Sequence, residues 1–279
     1  MKLLSQQYGK ARVRVLKVSR QDGRHRLKEV DVSVMFEGAF AAAYTQADNG
    51  PVVPTDTMKN TVNALAREHL GEDIENFGAA LGQHFLKRYG QVRQATIRLV
   101  EHCWEPMTVD GQPHAHSFIE AGRARPFAQV VCGRETTSVE SGVEDLLILK
   151  STGSGFAGFP RDEFTTLPET HDRILATNVK AAWAWKPAPQ SYFRTNRAIL
   201  DAMLKVFAAT YSPSVQATLF QMGEAALQAE PGISQVHLVM PNQHCLLVNL
   251  APFGLDNKNE IFVPTDEPHG QIEATVVRS

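Results

Sequence analysis

A chain of 279 residues with 43% hydrophobic content can build one large or two ordinary packed domains, and 28 Lys and Arg against 30 Asp and Glu leave a net charge of −2. No basic block is present to follow a phosphate backbone, which argues against a nucleic-acid partner, and no run approaches the 18 apolar residues of a membrane span. Cys103, Cys132 and Cys245 are an odd set without CxxC spacing, so neither a disulfide framework nor a cysteine-based zinc site is expected. The start MKLLSQQYGK is too short in apolar residues for a signal-peptide core and the ending VVRS is not of the peroxisomal kind, so reduced thiols in a cytoplasmic protein are expected.

In chain order, residues 11–18 and 28–37 alternate, most clearly with Val30, Val32, Val34 and Phe36 against Asp31 and Ser33. Two antiparallel strands around the turn QDGR are predicted. Met58, Val62 and Leu65 then recur at helical spacing over 56–70, as do Ile74, Phe77, Leu81 and Phe85 over 73–89. Strand patterns return at 92–104 and 115–121, giving the order β-β-α-α-β-β. The second half repeats that order: strands at 126–138, 144–150 and 174–185, a helix with Ile199, Met203, Val206 and Phe207, then a helix opened by Ser212-Pro213 and striped by Val215, Leu219, Met222 and Ala226. Strands at 234–240 and 244–250 follow. The fold class is α+β, with domains at 1–135 and 136–279, each an antiparallel sheet with helices on one face. The uncovered faces need burial, and oligomerisation supplies it.

Taken alone, Thr55-Asp56 is an ordinary helix start and Gln216 an ordinary first-turn residue. Lys10 is an ordinary strand-edge charge, His244 a turn histidine, Arg173 a partner for Asp172 or Glu169, and Phe156 a core ring. Between the halves, however, STGSGFAGFPRDEFTTLPETHDR (151–173) is too long for a plain connection, and long irregular segments inside compact domains tend to be functional. The whole chain, from YGKARV through VSVMFEGAF, VVPTDTMKN, HAHSF, the 151–173 segment and SPSVQATLF to PNQH and FGLDNKNEIFVPTDEPHGQIEATV, resembles the urate oxidases.

The resemblance implies two tandem T-fold domains per subunit, a barrel-like homotetramer with sites at subunit interfaces, and oxidation of urate by O2 without a cofactor. It makes Arg173 and Gln216 the grip on the purine edge, Phe156 the stacking ring, and Leu167 and the main chain of Val215 the lining. Thr55 and the main chain of Asp56 would come from a neighbouring subunit. Lys10, Thr55 and His244 would relay protons, and Asn242 would hold oxygen or water above the substrate plane. Pro54 departs from the usual small residue at the pocket entrance.

Chemistry agrees with those residue types. Urate is a flat monoanion edged with donors and acceptors, which a guanidinium fork, a carboxamide and an aromatic face match. The sequence has no CxxCH, and the resemblance implies that no cofactor is needed and that urate itself is the electron source, through a peroxide at C5. Two rivals exist. His114 and His116, alternate on a strand, hint at a metal-dependent purine or pterin hydrolase, but no third ligand is spaced to join them. A purine-binding protein without chemistry would need Arg173, Gln216 and Phe156 but not Lys10 or His244.

Overall fold

The computed structural model describes residues 1–21 and 23–278, so Asp22 of the predicted QDGR turn lies outside the described residues. Two units are formed, one of Met1–Gly142 with Ala184–Thr195 and the other of Val143–Trp183 with Asn196–Ser279.

In the first unit β1 (Tyr8–Gln21) and β2 (Arg24–Gly38) lead through the short α1 (Ala41–Thr45) to α2 (Thr55–His69) and α3 (Ile74–Arg88). β3 (Val92–His102), β4 (Trp104–Val109), β5 (Gln112–Glu120) and β6 (Arg125–Gly133) follow, and β7 (Thr137–Lys150) runs on into the second unit. The main sheet is antiparallel in the order β1-β2-β3-β6. Val30, Val32, Val34 and Phe36 are fully buried on one face, as their alternation predicts. Met58 and Val62 of α2 and Phe77, Leu81 and Phe85 of α3 cover that face, each large side chain contributing roughly 1.5–3 kcal/mol of transfer free energy. Gly82 lets α3 lie close: a Cβ there would sit 2.4 Å from the Cys132 Sγ.

The partner of β3 is β6, whereas the strand expected at 115–121 belongs to a separate β4-β5 hairpin. Every residue of β4 is exposed, and the hairpin turns at Asp110 and Gly111, both at positive φ (51° and 76°). Alternation marks a strand but does not name its neighbour. The single strand expected at 126–138 is likewise two, broken where Arg134 leaves the sheet to donate to the carbonyls of Leu86 (2.8 Å), in the last turn of α3, and Val92 (2.7 Å), at the start of β3.

The second unit carries the later part of β7, β8 (Leu175–Trp185), α4 (Tyr192–Ala209), α5 (Val215–Ala229), β9 (Ile233–Val239), β10 (Asn242–Leu247), β11 (Phe262–Gly270) and β12 (Glu273–Val277). Its sheet runs β7-β8-β9-β12, and β10 joins β8 on one side and β11 on the other. Strand β11 escapes pattern reading because Pro264, Pro268 and Gly270 interrupt its alternation. Met203 and Phe207 of α4 and Leu219, Met222 and Ala226 of α5 form the helix side of the core. Gly223 repeats the close approach of Gly82, since a Cβ there would lie 2.6 Å from Val276 Cγ2. Among the described residues no helix is long and apolar enough to cross a membrane.

Candidate active site

The segment 151–173 is irregular yet held. Its centre, Gly153–Phe156, is flanked on both sides by backbone. On one flank Phe156 exchanges bonds with Thr170 (2.7 and 3.0 Å) and the Arg173 N–H donates to the Ser154 carbonyl (2.7 Å). On the other, the Gly155 N–H donates to Ser212 (2.8 Å) and the Ser212 N–H to Gly153 (2.9 Å). This small ladder places Phe156, Arg173 and the start of α5 beside one another.

Arg173 forms no ion pair with either nearby acid among the described residues. Asp172 instead accepts from the Thr152 hydroxyl (2.8 Å) and the Gly153 N–H (2.8 Å), and Glu169 accepts from the Gly158 N–H (3.1 Å). The Arg173 Nε is buried without a partner among the described residues, as is the Ser154 Oγ. Its guanidinium carbon stands 5.5 Å from the Phe156 ring centre. Burial lowers the Arg173 pKa while the neighbouring Tyr211 opposes that shift, and a guanidinium stays charged under such a change. A desolvated cation with an unused donor beside an aromatic face is built to receive a flat anion. Phe156 is only half-buried and stacks on Phe159 (4.9 Å, 13°), so it is not a core ring. Leu167 lies exposed (51%) in the outer part of the segment.

Helix α5 begins at Val215, not at Pro213. Ser214 caps it by accepting from the Ala217 N–H (3.1 Å), and Ser212 is drawn into the ladder. The first two helical residues are therefore Val215, whose side chain is buried, and Gln216, whose side chain is exposed. Their N–H groups precede the first intrahelical bond, from Thr218 to Ser214 (3.2 Å), and are free to donate outward. On β10, Asn242 lies opposite Thr177 and Gly270, and the register with β11 slips before His244. Both side chains are half-buried. The Thr177 Oγ1 and Asn178 Oδ1 nearby on β8 are buried without partners among the described residues.

In the first unit Lys10 lies opposite Val34 on β2, so its side chain leaves the sheet on the helix-bearing face. A bulge follows at once, with Arg12 at φ 55° and its N–H on the Ser33 Oγ (3.1 Å). Gly9 admits the close approach of β2, since a Cβ there would meet the Val34 carbonyl oxygen at 1.8 Å. Neither Thr55 nor Asp56 caps α2: the N-cap is Pro54, without a side-chain bond, and the first intrahelical bond runs from Met58 to Pro54 (3.2 Å). The Asp56 carboxylate is held by Lys59 and Asn60, and its pKa is lowered chiefly by Lys59, with Lys10 adding a little. Among the described residues, the N–H groups of Thr55 and Asp56 precede that first intrahelical bond and have no intrahelical acceptor. Tyr8 fixes the approach, accepting from the Val53 N–H (2.8 Å).

Ser154, Gly155 and Tyr211 join the candidate site through contacts that pattern reading missed, because they depend on three separate segments meeting. The clue in the sequence is the Gly-rich run STGSG itself. His114 and His116 do share a side, 4.5 Å between ring centres, but no group of three or more His, Cys, Asp or Glu among the described residues is arranged to hold a metal ion.

The uricase family model matches residues 6–131 and 139–273. The chain is 41% identical to the uricase of Arthrobacter globiformis over 273 residues, covering 98% of this chain and 88% of that protein. To the uricase of Cyberlindnera jadinii it is 39% identical, covering 99% of this chain and 97% of that one. The crystal structure of the Arthrobacter globiformis uricase matches with a TM-score of 0.95 at 39% identity, over all of this chain and 95% of the other.

Proposed function

The chain belongs to the uricase family, and we infer that it is a urate oxidase built from two tandem T-folds, converting urate, O2 and water to 5-hydroxyisourate and hydrogen peroxide. Atoms balance: one oxygen from water enters at C5, and O2 takes two electrons from urate and leaves as peroxide. The observation that carries the reading is Arg173, with its unused buried Nε beside the face of Phe156.

Arg173 and Gln216 would hold opposite edges of the purine, Phe156 its face, and Leu167 and the Val215 N–H its surroundings. The free first-turn amides of α5 support that role for Val215, and those of α2 support the Thr55 and Asp56 contact. Lys10, Thr55 and His244 would move protons out of urate and water. Asn242 would hold O2 or water. That Thr55 and Asp56 come from a neighbouring subunit, in a barrel-like tetramer, is part of the same proposal; so is the reaction's independence of metal and flavin. Division of the two T-folds at 135/136 falls in the turn between β6 and β7. Cytoplasmic residence fits three free cysteines.

One assay tests the reading: purified protein, stripped of metals and flavins, is given urate in air. Urate loss with equimolar peroxide is expected. Absence of peroxide, or recovery only on adding a metal, would overturn it.

A further inference from the structure

We propose that the Tyr211 hydroxyl, passing over Gly155 to the His171 carbonyl, is a clasp that positions Arg173 and Phe156 for the substrate, an inference that rests on the urate reading above. The three segments of the ladder each carry one part of the pocket. Gly153–Phe156 in the middle carries the ring, 170–173 on one flank carries the guanidinium, and 211–216 on the other carries the start of α5. Backbone bonds join each flank to the middle. Tyr211 alone among these residues ties flank to flank with a side chain: its hydroxyl donates to the His171 carbonyl at 2.9 Å, two residues before Arg173.

The path crosses the middle segment at Gly155, a position without a side chain. A Cβ on Gly155 would stand 2.3 Å from the Tyr211 hydroxyl and 2.9 Å from the Thr170 carbonyl oxygen. Gly155 is buried, and its φ does not lie in the left-handed region, so space rather than backbone conformation demands a glycine there. Tyr211 itself is half exposed (50%), so its ring contributes little to the core and its hydroxyl bond is what it adds. Tyr211 therefore acts on substrate through Arg173 and Phe156 and is a positioning residue.

Tyr211→Phe deletes the bond and keeps the ring. Urate affinity without oxygen, KM, kcat and Tm are measured alongside wild type. The dissociation constant and KM should both rise about tenfold, the worth of one well-made hydrogen bond, with kcat changed less than about threefold and Tm little altered. Gly155→Ala should raise both constants similarly by pushing the hydroxyl aside, and the double variant should be no worse than the poorer single one. Wild-type binding and KM in Tyr211→Phe, or additive effects in the double variant, would overturn the clasp while leaving the urate reading intact. Should Gly155→Ala fail to fold, Tyr211→Phe decides alone. A wild-type protein that neither binds nor consumes urate would remove the urate reading, and the clasp's role with it.

Discussion

At the scale of single residues, the two halves of the candidate site call for different kinetic signatures. On the proposed function Arg173 would meet substrate and transition state with the same fork, so Arg173→Ala should raise KM by roughly 10- to 100-fold, the range for a hydrogen bond to a charged group, with a smaller effect on kcat. Arg173→Lys keeps the charge but loses the fork, and should recover only part of that loss. Lys10→Met and Thr55→Ala should instead lower kcat by about 100-fold or more, as loss of a proton-transfer group does. An unchanged kcat in Lys10→Met would end the relay. Residue types alone did not disclose these roles. Arg173 and Lys10 read locally as surface charges, and only the order of motifs along the whole chain singled them out. Tyr211 escaped because nothing near it in sequence hints that its hydroxyl crosses a glycine 56 positions earlier to reach a carbonyl 40 positions earlier.

Elements join through residues whose pairing is equally invisible in periodicity. The apolar stripes of α3 and α4 are legible, but the way their starts dock in the first unit is not. Asp73 accepts from the Phe193 N–H (2.7 Å), Glu75 accepts from the Ser141 hydroxyl, and Trp185 Nε1 donates to that same hydroxyl (2.9 Å). Tyr192, 5% exposed, meets Trp185 edge-on at 5.4 Å. Burial, reinforced by the charges of Glu75 and Asp73, pushes its hydroxyl from 10.0 up to about 12. A folded value above the unfolded one means that this stabilising contribution is intact below pH 10 and is lost as pH rises toward 12. Tyr192→Phe keeps the ring and removes the ionisation. In denaturant titrations at pH 9 and pH 11.5 it should lose less stability than wild type over that interval, and an equal loss in both would place the alkaline sensitivity elsewhere.

For the whole molecule, the duplicated β-β-α-α-β-β plan was legible because its strands alternate and its helices stripe, while the choice of β6 over β5 as the neighbour of β3 was not, since pairing is a tertiary decision. Assembly is a step further still, and it follows from assigning Arg173 and Thr55 to one site but to different subunits. If two subunits meet across a two-fold axis, each interface holds two equivalent sites, each taking Arg173 from one chain and Thr55 from the other. Neither Thr55→Ala nor Arg173→Ala homo-oligomers should then turn over urate at the wild-type rate. Refolding the two variants together makes mixed pairs in which one site carries both lesions and the other neither. With random pairing about half of the interfaces are mixed, so roughly a quarter of all sites regain the native residues, and activity should recover toward that fraction. Were each site complete within one chain, every site would keep one lesion and mixing would restore nothing. That result would discard the shared site and leave urate oxidation itself untouched.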